Sequence, residues 1–177
     1  MEFIKTSLNG AFLIMPEPKS DSRGWFARFF CKELFKTIGH NKEWVQMNHS
    51  FTSAKGTVRG MHFQRQPLSE IKLVRCIAGK IADVIIDLRP ESPTYKQHAA
   101  FELSAQNKHM IYIPEGFAHG FQTLEDNTEL IYLHSNYYNP EFESGIRYND
   151  PAISINWPLE ITNISERDLN FPDFQEK

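Results

Sequence analysis

Four polar clusters in the chain could do chemistry. The first, Arg59-Gly60-Met61-His62 with Gln64, holds an imidazole that could serve as a base near neutral pH. The second is Lys72, a cation set among apolar residues in Ile71-Lys72-Leu73-Val74-Arg75. The third is Pro114-Glu115-Gly116-Phe117-Ala118-His119-Gly120-Phe121. The fourth is Tyr132 with His134, which share one face of a strand, and Tyr137 and Tyr138 just beyond.

Each cluster also has a plainer reading. A lone strand histidine is commonly a hydrogen-bonded structural residue. Strict alternation would put Arg59 and His62 on opposite faces; Gly60 between them could host a bulge that turns both into one cavity. Lys72 shares its face with Val74 and Cys76, so it either snorkels to solvent or lines a polar pocket. Pattern alone favours snorkelling, because a buried lysine is rare without a partner. The third cluster reads equally as a turn, with Gly116 and Gly120 allowing tight backbone and two Phe filling core. Tyr132 reads as a packing aromatic with its hydroxyl bonded.

The elements that would position these residues are mostly short strands. Candidates are 11–15, 25–30, 44–52, 57–63, 71–78, 80–88, 97–103, 109–113, 119–124 and 129–136, separated by Gly, Pro, Asn and Asp clusters. Such spacing predicts a β-sandwich or barrel. Helix is scarce. Lys32 to Ile38 could form two turns stopped by Gly39. Ser165 could cap a short helix to Leu169, with Asp168 three residues on as a capping partner. The tail from Phe171 to Lys177 is expected to fray or pack loosely.

At 177 residues the chain suits one domain, and its net charge of −3 does not suggest a non-specific nucleic-acid or membrane binder. The apolar run Ala11 to Met15 is too short for a signal peptide or a membrane span. Cys31 and Cys76 match no zinc or redox spacing and read as reduced thiols in the cytoplasm. The histidines at 40, 49, 62, 98, 109, 119 and 134 form no His-x-His or helical pair, so no metal is expected. Serine-nucleophile and glycine-rich phosphate-loop motifs are missing. Aromatic content is high, 13% with 14 Phe.

Taken together, several stretches resemble the dTDP-4-dehydrorhamnose 3,5-epimerase family, sugar-nucleotide epimerases on a metal-free cupin barrel. They are DSRGWF at 21–26, QMNHS at 46–50, VRGMHFQ at 58–64, KLVRC at 72–76, DVIIDLRPESPTY at 83–95, ELSAQNK at 102–108, IPEGFAHGF at 113–121, NDPAISINWP at 149–158 and SERD at 165–168. They occur in family order. The resemblance implies an all-β fold, a double-stranded β-helix (cupin jelly roll) with a few short helices, as one domain over 1–177. It implies a homodimer that exchanges N-terminal strands. Its substrate would be a nucleoside-diphosphate sugar, dTDP-linked, carrying a 4-keto-6-deoxy group, and no cofactor would be needed.

The resemblance also assigns roles. His62 would be the base and Asp168 would orient its ring. Lys72 would hold the enolate charge, and Tyr132 would deliver a proton from the opposite face. Arg23, Gln46, Asn48, Arg59, His119, Glu143 and Arg167 match positions that contact sugar or diphosphate. Phe63, Phe117 and Phe121 would wall the cavity, and Tyr138 could stack on the base. Arg28, Met47, Glu70, Leu133 and Arg167 depart from the usual pattern. Close alternatives are a 3-epimerase or a ketoisomerase on a related nucleotide sugar. A non-catalytic sugar-nucleotide-binding barrel is the alternative outside the enzyme class.

Overall fold

A computed structural model describes residues 1–174. The chain runs β1 (Glu2–Lys5), β2 (Phe12–Met15), β3 (Lys19–Asp21), β4 (Gly24–Phe26), α1 (Lys32–Lys36), β5 (Gln46–Thr52), β6 (Thr57–Gln64), β7 (Lys72–Ala78), β8 (Lys80–Asp87), β9 (His98–Ser104), β10 (Met110–Ile113), β11 (Phe117–Thr123), β12 (Thr128–His134), β13 (Glu143–Gly145), β14 (Asn163–Ile164) and α2 (Glu166–Leu169). One sheet has the order β1-β2-β10-β7-β12-β5. The other has the order β13-β6-β11-β8-β9, with β14 lying parallel to β6. From β5 to β13 the chain passes repeatedly between the two sheets. That winding is a double-stranded β-helix, the jelly roll of the cupins.

Period-two alternation decides what fills the space between the sheets. Val74 and Cys76 on β7, Ile81 and Ile85 on β8, Phe117 and Phe121 on β11 and Leu130 on β12 form one buried cluster. Their neighbours on the reverse faces join two outer clusters. Leu73 packs with Phe35, Tyr112 and Ile14, and Val84, Ile86 and Ala118 pack with Met61 and Ile146. The β8 run is therefore buried on both faces, as its unbroken apolar pattern predicts.

Two expectations need correction. The proposed strand 25–30 stops at Phe26, because Phe29 and Phe30 turn to pack on side chains. The Arg75 guanidinium lies 3.3 Å from the Phe29 ring centroid, and Phe30 meets Phe35 edge-on at 4.9 Å. The expected loose tail is docked over residues 171–174: Phe171 meets the His62 ring at 5.6 Å, and the Phe174 N–H donates to Asp150. Residues 175–177 of that tail lie outside the described residues. Among the described residues no helix is long and apolar enough to cross a membrane.

Candidate active site

The interior of the barrel changes character toward one end. The alternation that places Val74, Ile85 and Leu130 inside also turns Lys72, Asp83, His119, Tyr132 and His134 inward. Lys72, His119, Tyr132 and His134 line a cavity of ≈ 640 Å³, together with Asn48, Ser50, Phe63, Phe121 and Glu143; Asp83 is fully buried against His119.

Arg59 and His62 both line this cavity, and a β-bulge is the reason. On β11, His119 pairs with His62 and Phe121 pairs with Arg59, so two steps on β11 match three on β6. Gly60 sits inside the bulge at φ +130°, and a Cβ there would lie 2.5 Å from the Gly120 Cα. Glycine at 60 and 120 thus lets the strands close where the bulge re-aims His62.

His62 Nε2 lies 2.8 Å from Asp168 Oδ1, and Asp168 Oδ2 accepts the Gly60 N–H at 3.0 Å. Ser165 caps α2 as expected, accepting the Asp168 N–H at 3.1 Å. The Asp168 side chain does not complete a capping box; it turns away to His62. Burial acts to raise the Asp168 pKa, but His62, the Gly60 amide and Arg167 outweigh it and hold the carboxyl below its ordinary value. The carboxylate is therefore ionised at neutral pH and takes the Nε2 proton as a hydrogen bond.

Lys72 does not snorkel. It is 8% exposed and lines the cavity, because it has the partner that a buried lysine requires. Glu70 Oε1 stands 3.4 Å from Lys72 Nζ, and Glu70 Oε2 stands 2.8 Å from His134 Nδ1. Burial would raise the Glu70 pKa, but His134 and Lys72 hold it below its ordinary value.

The Tyr132 and Ser50 hydroxyls are 2.9 Å apart. Burial, aided by Asp83, pushes the phenol pKa well up despite Ser50 and Arg59, so the hydroxyl stays protonated. His119 Nε2 meets Asp83 Oδ2 at 2.8 Å. Burial raises the pKa of Asp83, with His119 and Lys72 opposing. At the cavity mouth, Glu143 accepts from Tyr138 at 2.7 Å and from Arg167 at 3.1 Å. Among the described residues, no three His, Cys, Asp or Glu side chains converge as a metal-ligand set.

The sequence profile of the dTDP-4-dehydrorhamnose 3,5-epimerase family matches residues 5–176. This chain belongs to the dTDP-4-dehydrorhamnose 3,5-epimerase family. A dTDP-4-dehydrorhamnose 3,5-epimerase of Methanothermobacter thermautotrophicus is 45% identical over 177 residues, covering 98% of this chain and 95% of the relative. The solved structure of the Bacillus anthracis enzyme, with TDP and PPi bound, matches with a TM-score of 0.94 at 38% identity, over 98% of this chain and 99% of that one. A Legionella pneumophila epimerase in complex with dTDP-4-keto-L-rhamnose matches with a TM-score of 0.92 at 37% identity, over 97% of this chain and 92% of that one.

Within this epimerase fold, the residues singled out from sequence do not all meet. His62, Lys72, Tyr132, Asp168, Asn48, Arg59, His119, Glu143 and Arg167 line the one cavity. Gln46 stands behind it, with Nε2 donating to Asn48 Oδ1 at 3.2 Å and Oε1 accepting from the Tyr138 N–H at 3.0 Å. Arg23 stands apart on the turn between β3 and β4, paired with Asp21 at 2.6 Å and 87% exposed. Phe117 is not a cavity wall; it is buried in the interior core under the Arg89 guanidinium.

Of the departures from the family pattern, Glu70 and Arg167 line the cavity. Met47 points outward from β5, and Leu133 packs on the outer side of its sheet. Sequence reading missed Ser50 and Glu70 as cavity residues, and Asp83 as the partner of His119. Parity could have found Asp83, which shares its face with Ile81 and Ile85. Glu70 precedes β7, where no periodicity reports on direction.

Proposed function

We infer that this chain is an isomerase that inverts C3, C5 or both of a nucleoside-diphosphate 4-keto-6-deoxy sugar, of the dTDP-4-dehydro-6-deoxyglucose type. The observation that carries the reading is the placement of His62 and Tyr132. They come from β6 and β12, strands of opposite sheets, and line one cavity. Inversion at a carbon needs a proton removed on one face and returned on the other.

A C4 ketone acidifies the protons on C3 and C5. With Nε2–H engaged by Asp168, His62 Nδ1 is the nitrogen that can accept such a proton. The C–H electron pair moves into the C–C bond and the carbonyl pair onto oxygen, giving an enolate. Lys72 supplies donors and positive charge to that oxygen. Tyr132 then returns a proton to the carbon from the other wall, and the carbonyl reforms. The resulting imidazolium is stabilised by Asp168, and solvent exchange restores both His62 and Tyr132. Arg59, His119, Asn48, Glu143 and Arg167 would hold sugar and diphosphate, with Gln46 setting Asn48 in place. A cytoplasmic setting accords with free Cys31 and Cys76.

The assembly proposed is a homodimer. It would exchange N-terminal strands, and the β3–β4 hairpin, which joins neither main sheet of its own chain, is the candidate for that exchange. That hairpin exposes Trp25 and Phe26, and the open edge strand β5 exposes Met47 and Phe51. Arg23 would then reach the partner's cavity.

The test is proton NMR of dTDP-4-dehydro-6-deoxyglucose incubated with the protein in deuterium oxide. The reading expects solvent deuterium at C3, C5 or both with inverted configuration. A moved carbonyl would assign a ketoisomerase, and saturable binding without label would assign a binding barrel.

A further inference from the structure

We propose that Glu70, braced by His134, is a positioning residue that sets where Lys72 presents its ammonium group. This role rests on the reading of Lys72 as the cation at the enolate oxygen.

The geometry places one carboxylate between two residues of the cavity wall. His134 and Lys72 sit opposite each other in the register of β12 and β7. Glu70, just before β7, reaches both: Oε2 to His134 Nδ1 at 2.8 Å and Oε1 to Lys72 Nζ at 3.4 Å. Glu70 and His134 side chains are 8% and 9% exposed, so water cannot replace these partners cheaply.

The two contacts differ in kind. The His134 contact has the length of a full hydrogen bond, while the Lys72 contact is longer than a charge-assisted one. Glu70 is therefore anchored from the His134 side. It holds the ammonium by charge at 3.4 Å and leaves its N–H donors for a ligand. His134 is itself held: Asn48 Nδ2 lies 3.3 Å from its Nε2, and the Tyr132 ring stacks on it at 6.3 Å and 28°. A neutral imidazole satisfies both sides, with Nδ1–H donating to Glu70 and Nε2 accepting from the Asn48 amide. Glutamine at 70 could not accept at both positions. Asp83, fully buried on β8, is a second carboxylate that feels the Lys72 charge.

Glu70→Gln should lower kcat roughly 10-fold with KM within about two-fold, since a misplaced donor harms the transition state more than binding. Lys72→Met alone should lower kcat roughly 100-fold, and adding Glu70→Gln to it should change kcat by less than about two-fold, because the pair acts as a unit. A Glu70→Gln chain with wild-type kcat would overturn the proposal. So would a Glu70→Gln loss of equal size in both backgrounds, which would place its effect in the fold rather than in Lys72. In both cases Lys72→Met stays impaired. An unimpaired Lys72→Met chain would instead remove the reading of Lys72, and with it the role of Glu70. If Glu70→Gln fails to fold, His134→Gln removes the brace and leaves both charges. It should lower kcat roughly 3-fold in the parent and not at all in Lys72→Met. No loss in the parent would overturn the proposal.

Discussion

His62 and Asp168 are 106 positions apart, yet His62 Nε2 and Asp168 Oδ1 meet at 2.8 Å. Two devices bring them together. The β6 bulge turns His62 into the cavity, and the Ser165 cap starts α2 so that Asp168 faces β6. The Gly60 N–H holds the second carboxylate oxygen, so the dyad is tied to the bulge itself.

Removing the imidazole should remove the base. His62→Asn is expected to lower the epimerisation rate roughly 100- to 10,000-fold, the usual worth of a general base. Asp168→Asn should cost less than that, since it perturbs the ring's orientation and charge but keeps the imidazole. Steady-state rates, with thermal midpoints to confirm folding, check both. A near-wild-type His62→Asn enzyme would sink the assignment.

The close approach at the bulge makes a structural prediction. A Cβ on Gly120 would lie 2.6 Å from Met61 Sδ and 2.8 Å from the Arg59 carbonyl oxygen. Gly120→Ala should therefore destabilise the chain by roughly 1–3 kcal/mol and lower activity by shifting β6. Urea denaturation measures the first effect. An unchanged midpoint would mean the strands separate without cost.

Much of this was legible in the sequence, and the rest was not, for identifiable reasons. An unbroken apolar run located β8, and alternation within β-rich segments located β6, β7, β11 and β12. It also put Tyr132 with His134 and raised a bulge at Gly60. It could not bring Asp168 to His62, because helix capping is local and that contact is not. It misjudged Lys72 because its partner, Glu70, lies just outside the strand. β13 and β14 are too short to carry a period, and the Phe29 and Phe30 pair imitates strand while packing on Arg75 and Phe35.

Acid should weaken the fold through Asp87, which is fully buried and far from the proposed chemistry. Burial acts to raise its pKa, but Arg89, Ser92 and Thr94 hold it below the ordinary 3.8. A depressed carboxyl stabilises the fold above its unfolded pKa and loses that contribution as pH falls through the folded value. Asp87→Asn should thus have a lower urea midpoint than wild type at neutral pH, with the gap narrowing in acid below 3.8. A constant gap would contradict this.

If the β3–β4 hairpin serves a partner, its substitutions should separate assembly from catalysis. Phe26→Ser is expected to shift the mass measured by light scattering from dimer toward monomer. Arg23→Ala is expected to leave the dimer intact and raise KM several-fold, by roughly the worth of one charged contact. A wild-type chain that is monomeric at micromolar concentration would rule out both.

Inversion requires that protons leave and return on opposite walls of the cavity. The direct measurement is NMR of label and configuration with Tyr132→Phe in deuterium oxide. Deuterium should still enter beside the ketone, because His62 remains, while inversion falls by roughly 100-fold or more for want of the acid. Tyr132→Phe inverting at the wild-type rate would contradict it.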